Sequence, residues 1–114
     1  MASPLKPVRG SSTGRPIMVL LDLLGRRWTL RIIWELRAEA MTSRRLRQIC
    51  DDVSPTVLQA RLNDLRDAGF VSLERPGGYR LTPLGQELLR RFLPLQVFAD
   101  TWAAALETTP PADR

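Results

Sequence analysis

A single segment with period-two alternation lies inside a chain whose other apolar residues follow helical spacing. Apolar and polar side chains alternate with period two over residues 70–75. Pro76-Gly77-Gly78 then turns the chain, and residues 79–81 form the returning strand of the pattern. The segment predicts a small β-hairpin. With helical patterns on both sides of it, the sequence predicts a mainly α fold that carries one hairpin.

Two short helical patterns, joined by an acidic turn, precede the hairpin. Thr42 and Ser43 offer an N-cap for a first helix of about two turns. Asp51-Asp52 interrupts the pattern, and Ser54-Pro55 restarts it as N-cap and first helical position. This second helix, over about 54–68, carries three leucines on one face: Leu58, Leu62 and Leu65. The pair is a helix-turn-helix pattern.

Further helices are predicted at both ends. Pro16 opens a short helix over 17–24 that is apolar on nearly every side, and Thr29 is an N-cap candidate for the next helix. Thr82-Pro83 begins a long last helix whose apolar residues recur at spacings of four and three, and Pro94 should bend it. This order predicts a winged helix-turn-helix domain over 16–107, between a flexible basic arm (1–15) and a flexible tail (108–114).

The charge of the chain points towards nucleic acid. Basic residues outnumber acidic residues by 17 to 12, and sixteen of the basic residues are arginine. The excess lies in residues 26–91, with thirteen basic and eight acidic side chains. Arginine presents a planar fork of donors that suits phosphates and guanine edges. The alternative is an ordinary solvated surface in a protein from an arginine-rich proteome, and charge alone does not decide between the two.

The composition excludes most kinds of catalytic site. The chain has no histidine and only one cysteine, Cys50, which excludes zinc fingers, histidine-dependent triads and an internal disulfide. We therefore predict a protein that is not an enzyme and has no catalytic residue, metal or cofactor. The longest apolar run, 17–21, is too short to span a membrane, so we expect a cytoplasmic protein with no membrane partner.

Several motifs occur in the order typical of a known family. They are Pro16 through Trp28 with Thr29-Leu30, then Ser54-Pro55-Thr56-Val57-Leu58, Arg61-Leu62, Leu65, Ala68-Gly69-Phe70-Val71 and Tyr79-Arg80-Leu81-Thr82-Pro83-Leu84-Gly85. With these motifs the chain resembles the HxlR-type winged-helix transcriptional regulators of bacteria, relatives of the MarR group. The resemblance covers about 16–106.

The resemblance implies a homodimer held by the first and last helices. It also implies that helix 54–68 enters the major groove of double-stranded DNA and that residues 71–81 form a wing on the DNA backbone. Two features depart from the family pattern. Arg15 stands where some members carry a sensing cysteine, just before the residue that matches Pro16. The wing is also several residues shorter than usual.

Helix-turn-helix docking brings the start of the second helix to base edges and the first helix to the backbone. The predicted DNA-binding residues are Arg26, Arg27, Arg44, Arg45, Ser54, Thr56, Gln59, Arg61, Asn63, Arg75 and Arg80. The polar residues of helix 54–68 could instead be the ordinary outer face of an amphipathic helix, and several arginines also have a structural alternative. Arg44 and Arg45 could form surface ion pairs, Arg61 could reach a carboxylate along the core, and Glu74 could separate Arg75 from Arg80.

The apolar end helices predict a dimer interface. Its predicted residues are Ile17, Leu20, Leu21, Leu24, Leu88, Phe92, Leu95, Trp102 and Leu106. Cys50 lies on an apolar stripe and is expected to be a buried core residue rather than a sensor. The sequence does not decide whether a small-molecule effector pocket lies between the end helices and the core. The alternative function is that of a winged-helix module for RNA or protein binding.

Overall fold

The structure, a computed structural model, describes residues 14–51 and 53–108. In chain order the elements are α1 (Pro16–Leu24), α2 (Thr29–Glu35), α3 (Ser43–Ile49), α4 (Pro55–Asp67), β1 (Val71–Glu74), β2 (Gly78–Leu81) and α5 (Pro83–Glu107). This confirms the mainly helical fold with one hairpin. Most of the predicted arm and of the predicted tail lies outside the described residues.

Three helices begin at the predicted hydroxyl caps. Thr42 Oγ1 accepts a hydrogen bond from the Arg45 amide at 3.1 Å, and Ser54 Oγ accepts one from the Val57 amide at 3.1 Å. Thr82 Oγ1 accepts from the Gly85 amide at 3.0 Å. Each bond satisfies a backbone donor that has no partner within its helix, so local chemistry fixes where α3, α4 and α5 start.

The predicted cap of α2 is wrong. Trp28 is the N-cap and adopts left-handed backbone angles, with φ of 78°. Thr29 is instead the first residue of α2, and its side chain is completely buried. The Trp28 side chain packs against the core, so tertiary packing rather than a side-chain cap determines where this helix begins.

The hairpin is a two-stranded antiparallel sheet that is extended by one bridge. Val71 pairs with Leu81, and Leu73 pairs with Tyr79. Met41, just before α3, exchanges both backbone hydrogen bonds with Tyr79, at 2.8 and 2.7 Å. The bridge anchors the hairpin to the helix-turn-helix unit.

One core joins α2, α3, α4, the hairpin and the first half of α5. Its members are Ile32, Ile33, Leu36, Leu46, Cys50, Val53, Leu58, Leu62, Leu65, Val71, Tyr79, Leu81 and Leu89. Since the three leucines of α4 are buried in it, the orientation of α4 is fixed by the core. The opposite face of α4 is therefore held outward.

The long helix α5 divides into two halves. Near its start Gly85 and Leu89 are buried against the core. From Leu93 to Thr108 every residue is exposed. The helix runs without a break through Pro94, and the bend expected there remains a prediction.

Candidate nucleic-acid interface

The outer face of α4 is polar and accessible. Ser54, Thr56, Gln59 and Asn63 are all exposed, as predicted. Gln59 Nε2 donates to Asn63 Oδ1 at 2.9 Å and to the Tyr79 hydroxyl at 3.3 Å. Because Tyr79 belongs to β2, this network aligns the amides of α4 with the hairpin. Sequence reasoning missed the contribution of Tyr79, since the contact joins two distant segments.

The arginines of α3 are exposed. Arg44, Arg45 and Arg47 form no ion pair with any carboxylate among the residues that the structure describes. Asp51, which follows α3, pairs instead with Arg31 at 3.2 Å. Three guanidinium groups on one short helix therefore leave a local excess of positive charge.

Arg31 holds the turn between α3 and α4. Its Nη2 donates to the carbonyl of Ile49 at 2.6 Å, while its Nε contacts Glu35 at 2.7 Å. The pKa of Arg31 is raised, chiefly by the hydrogen bond to Glu35. A cation at the last carbonyls of a helix satisfies acceptors that have no partner within the helix. Arg31 was not among the predicted site residues.

At the hairpin, the two arginines differ in their surroundings. Arg80 Nη1 lies 3.1 Å from Glu74 Oε2, so Glu74 does intervene between the cations. Arg75 is exposed, and no carboxylate within the described ranges pairs with it. Arg75 is therefore the wing cation that is free to meet an anion.

Two other predicted contacts converge on one carboxylate. Asp64 Oδ2 lies 3.0 Å from Arg26 Nη1 and 3.3 Å from Arg61 Nε. Arg26 also donates a hydrogen bond to Asp22 of α1 at 3.1 Å, and its interactions with Asp64 and then with Asp22 raise its pKa. Arg27, by contrast, is exposed, and its guanidinium lies 5.2 Å from the centre of the Trp28 ring.

The predicted dimer residues fall into two sets. Ile17, Leu21, Leu95, Trp102 and Leu106 are each more than half exposed, whereas Leu20 is partly buried. The remaining three are partly buried against the chain's own core: Leu24, Leu88 and Phe92.

Two large apolar side chains on α5 were missed. Val97 and Phe98 are 69% and 60% exposed. Neither fits the four-and-three spacing of the predicted seam, which covers only one side of a helix. Apolar surface therefore continues around the second half of α5 beyond that seam.

Cys50 is buried, as predicted. Its side chain is fully enclosed in the core, and desolvation raises the pKa of its thiol. A thiol in such a place stays protonated at neutral pH and behaves as a small apolar group.

A shallow groove of about 200 Å³ lies between α2 and α5. It is lined by Leu30, Arg31, Trp34, Phe92 and Gln96. The groove lies between an end helix and the core, where the sequence left an effector pocket undecided. In the described part of the chain, no helix has both the length and the apolar character needed to cross a membrane.

Comparison with known proteins tests the family resemblance that the sequence motifs indicate. The model of a family described as HxlR-like helix-turn-helix matches residues 23–107. Among curated proteins, none matches the chain significantly.

Solved structures of regulators share the fold. The quinone-bound YodB from B. subtilis is 26% identical, with a TM-score of 0.71 over 76% of this chain and 97% of that chain. A protein described as "a possible HxlR family transcriptional factor" from Thermoplasma volcanium GSS1 is 27% identical, with a TM-score of 0.67 over 75% and 82%. The redox regulator HypR in its reduced form shares 23% identity, with a TM-score of 0.71 over 82% and 99%, and supports the fold alone.

Proposed function

The chain belongs to the HxlR-like helix-turn-helix family of transcription regulators, and from this we propose that it binds operator DNA as a homodimer. The observation that carries the proposal is the outer face of α4. Its polar side chains are exposed on a helix whose other face is locked into the core. A rigid helix that presents amides and hydroxyls suits the reading of base edges in the major groove.

Base contacts are assigned to α4. Thr56, Gln59 and Asn63 read the bases, and an amide that faces adenine can make two hydrogen bonds at once. The contact between Gln59 and Asn63 orders both side chains before DNA arrives, which lowers the entropic cost of binding. Ser54 caps the end of the helix that approaches the base edges in this docking mode.

Phosphate contacts are assigned to arginines without a carboxylate partner among the described residues. Arg44 and Arg45 lie on α3, the helix that crosses the DNA backbone in this docking mode. Arg27 lies just before α2, and Arg75 lies on the wing. To reach a phosphate, Arg61 must first break its ion pair with Asp64, and Arg80 must break its ion pair with Glu74. We therefore expect these two arginines to contribute less to DNA affinity. Each phosphate contact releases counterions and steepens the salt dependence of binding.

The dimer is assigned to α1 and the second half of α5. The exposed side chains Ile17, Leu21, Leu95, Phe98 and Trp102 present more apolar surface than a small monomer ordinarily leaves in water. A two-fold dimer presents two α4 helices, which predicts inverted half-sites about one helical turn apart.

Control of binding is proposed to be independent of thiol chemistry. One structural neighbour binds a quinone and another is a redox regulator. In this chain the family resemblance places Arg15 where some members carry a sensing cysteine, and Cys50 is buried. Regulation would then come from a ligand or from protein abundance. We also propose that the protein acts in the bacterial cytoplasm.

The test is competition at a fixed salt concentration. The labelled probe is a duplex that the protein itself selects from a random pool, and the competitors are unlabelled probe, an unrelated duplex and a structured RNA. We expect the selected duplex to compete at least about a thousandfold better than unrelated DNA. Equal competition by all three would contradict sequence-specific binding, and preference for the RNA would favour the alternative winged-helix RNA-binding module.

A further inference from the structure

Arg26 joins three segments of the molecule through two carboxylates. It lies in the loop between α1 and α2, one residue beyond Gly25, which caps α1. Its Nη2 contacts Asp22 of α1 at 3.1 Å, and its Nη1 contacts Asp64 of α4 at 3.0 Å. The two amino groups of one planar guanidinium thus contact two helices at once.

Both ends of this bridge lie beside the proposed contact surfaces. Asp22 follows Leu21, which is 54% exposed on the proposed dimer face of α1. Asp64 follows Asn63, on the outer face of α4. Arg61 Nε also lies 3.3 Å from Asp64 Oδ2, an ion pair without hydrogen-bond geometry.

We propose that Arg26 is a positioning residue that links the dimer helix α1 to the recognition helix α4. This inference rests on the proposed function. When two chains pair through α1 and α5, the bridge carries the position of α1 to α4. The separation of the two recognition helices, and so the half-site spacing that the dimer accepts, depends on it.

The competing role for Arg26 is a direct phosphate contact. Two carboxylates already neutralise its charge, and both are only 24% exposed. A phosphate would have to displace at least one of them. Its neighbour Arg27 is also exposed and carries no carboxylate partner in the part of the chain described, so it serves as the matched control.

Asp22→Asn separates the two roles because each role predicts a change in a different measured quantity. The substitution removes a negative charge, so electrostatics alone predicts tighter DNA binding. An Arg26 that kept only Asp64 as a partner and bound phosphate would also steepen the salt dependence. If Arg26 is a link, the same substitution loosens α1 from α4 and weakens the preference for correct spacing.

The experiment measures two quantities for the wild type and for Arg26→Ala, Asp22→Asn and Arg27→Ala. The first is the ratio of affinities for the selected duplex and for the same duplex with one base pair inserted between its half-sites. The second is the slope of log affinity against log salt concentration. Circular dichroism checks that each variant is folded, and sedimentation checks that it is dimeric.

We expect Arg26→Ala and Asp22→Asn to reduce the spacing ratio by about threefold, as the loss of a partly exposed ion pair would, with an unchanged salt slope. Arg27→Ala should keep the ratio and lower the slope by about one. The link is overturned if Arg26→Ala behaves like Arg27→Ala, or if Asp22→Asn binds more tightly at an unchanged ratio. A wild type that selects no duplex refutes the proposed function itself, which is a distinct result.

Discussion

Gln59 is the side chain whose surroundings best suit a base contact. It is exposed on α4, and its amide is already oriented by Asn63 and by the Tyr79 hydroxyl. Gln59→Ala should weaken binding to the selected duplex by about 1–3 kcal/mol, while binding to unrelated DNA and the salt slope stay as they are. Gln48→Ala, an exposed glutamine on α3, is the control. Equal losses on both duplexes would remove Gln59 from base readout.

Cys50 leads to a second prediction for a single side chain. Because it is completely buried and its thiol pKa is raised by desolvation, little reactive thiolate forms at neutral pH. Operator affinity should therefore be the same with and without diamide or peroxide. Cys50→Ser should lower the free energy of unfolding by about 1–3 kcal/mol, since it buries a hydroxyl in an apolar core. Reversible loss of binding in oxidant, in the wild type alone, would identify Cys50 as a sensor.

Among the elements, the wing depends on one glycine. Gly78 has φ of 99°, and a Cβ placed there would lie 2.4 Å from the carbonyl oxygen of Met41. Gly78→Ala should therefore destabilise the protein by about 2–3 kcal/mol in urea unfolding. Gly77→Ala is the matched control, because its nearest neighbour would be Ala40 Cβ at 3.9 Å. Similar stabilities for the two variants would contradict this account of the wing.

The elements also show which parts of the fold can be predicted from sequence. Ser54, Thr42 and Thr82 cap their helices through bonds to amides three residues away, so the sequence alone locates these starts. Trp28 as the cap of α2 could not be predicted, because its left-handed conformation depends on packing against the core. A side-chain cap can be predicted from a few neighbouring residues, but tertiary packing can override such local preferences.

The same distinction applies to the candidate site. The exposed face of α4 was predictable because helical spacing separates it from the three buried leucines. The bridge from Arg26 to Asp64 joins residues that are far apart in sequence, and no spacing rule indicates it. Val97 and Phe98 were missed for another reason, since a seam pattern selects one side of a helix and α5 exposes apolar residues around it.

For the whole molecule, the prediction concerns the exposed half of α5. Leu95→Glu should convert the dimer to a monomer, because it places a charge in the proposed interface. Leu84→Glu is the control, since Leu84 lies in the first turn of the same helix with 54% exposure, against 56% for Leu95. Sedimentation should give twice the chain mass of 12.9 kDa for the wild type and for Leu84→Glu. Unchanged dimers of Leu95→Glu would place the interface elsewhere.

The central claim is that two copies of α4 occupy adjacent major grooves. It is tested most directly by methylation protection of the guanine N7 atoms, which lie in the major groove, on the duplex that the protein selects. We predict two protected patches on one face of the duplex, about one helical turn apart and related by two-fold symmetry. A single patch, or unprotected guanines under a fully bound protein, would contradict it.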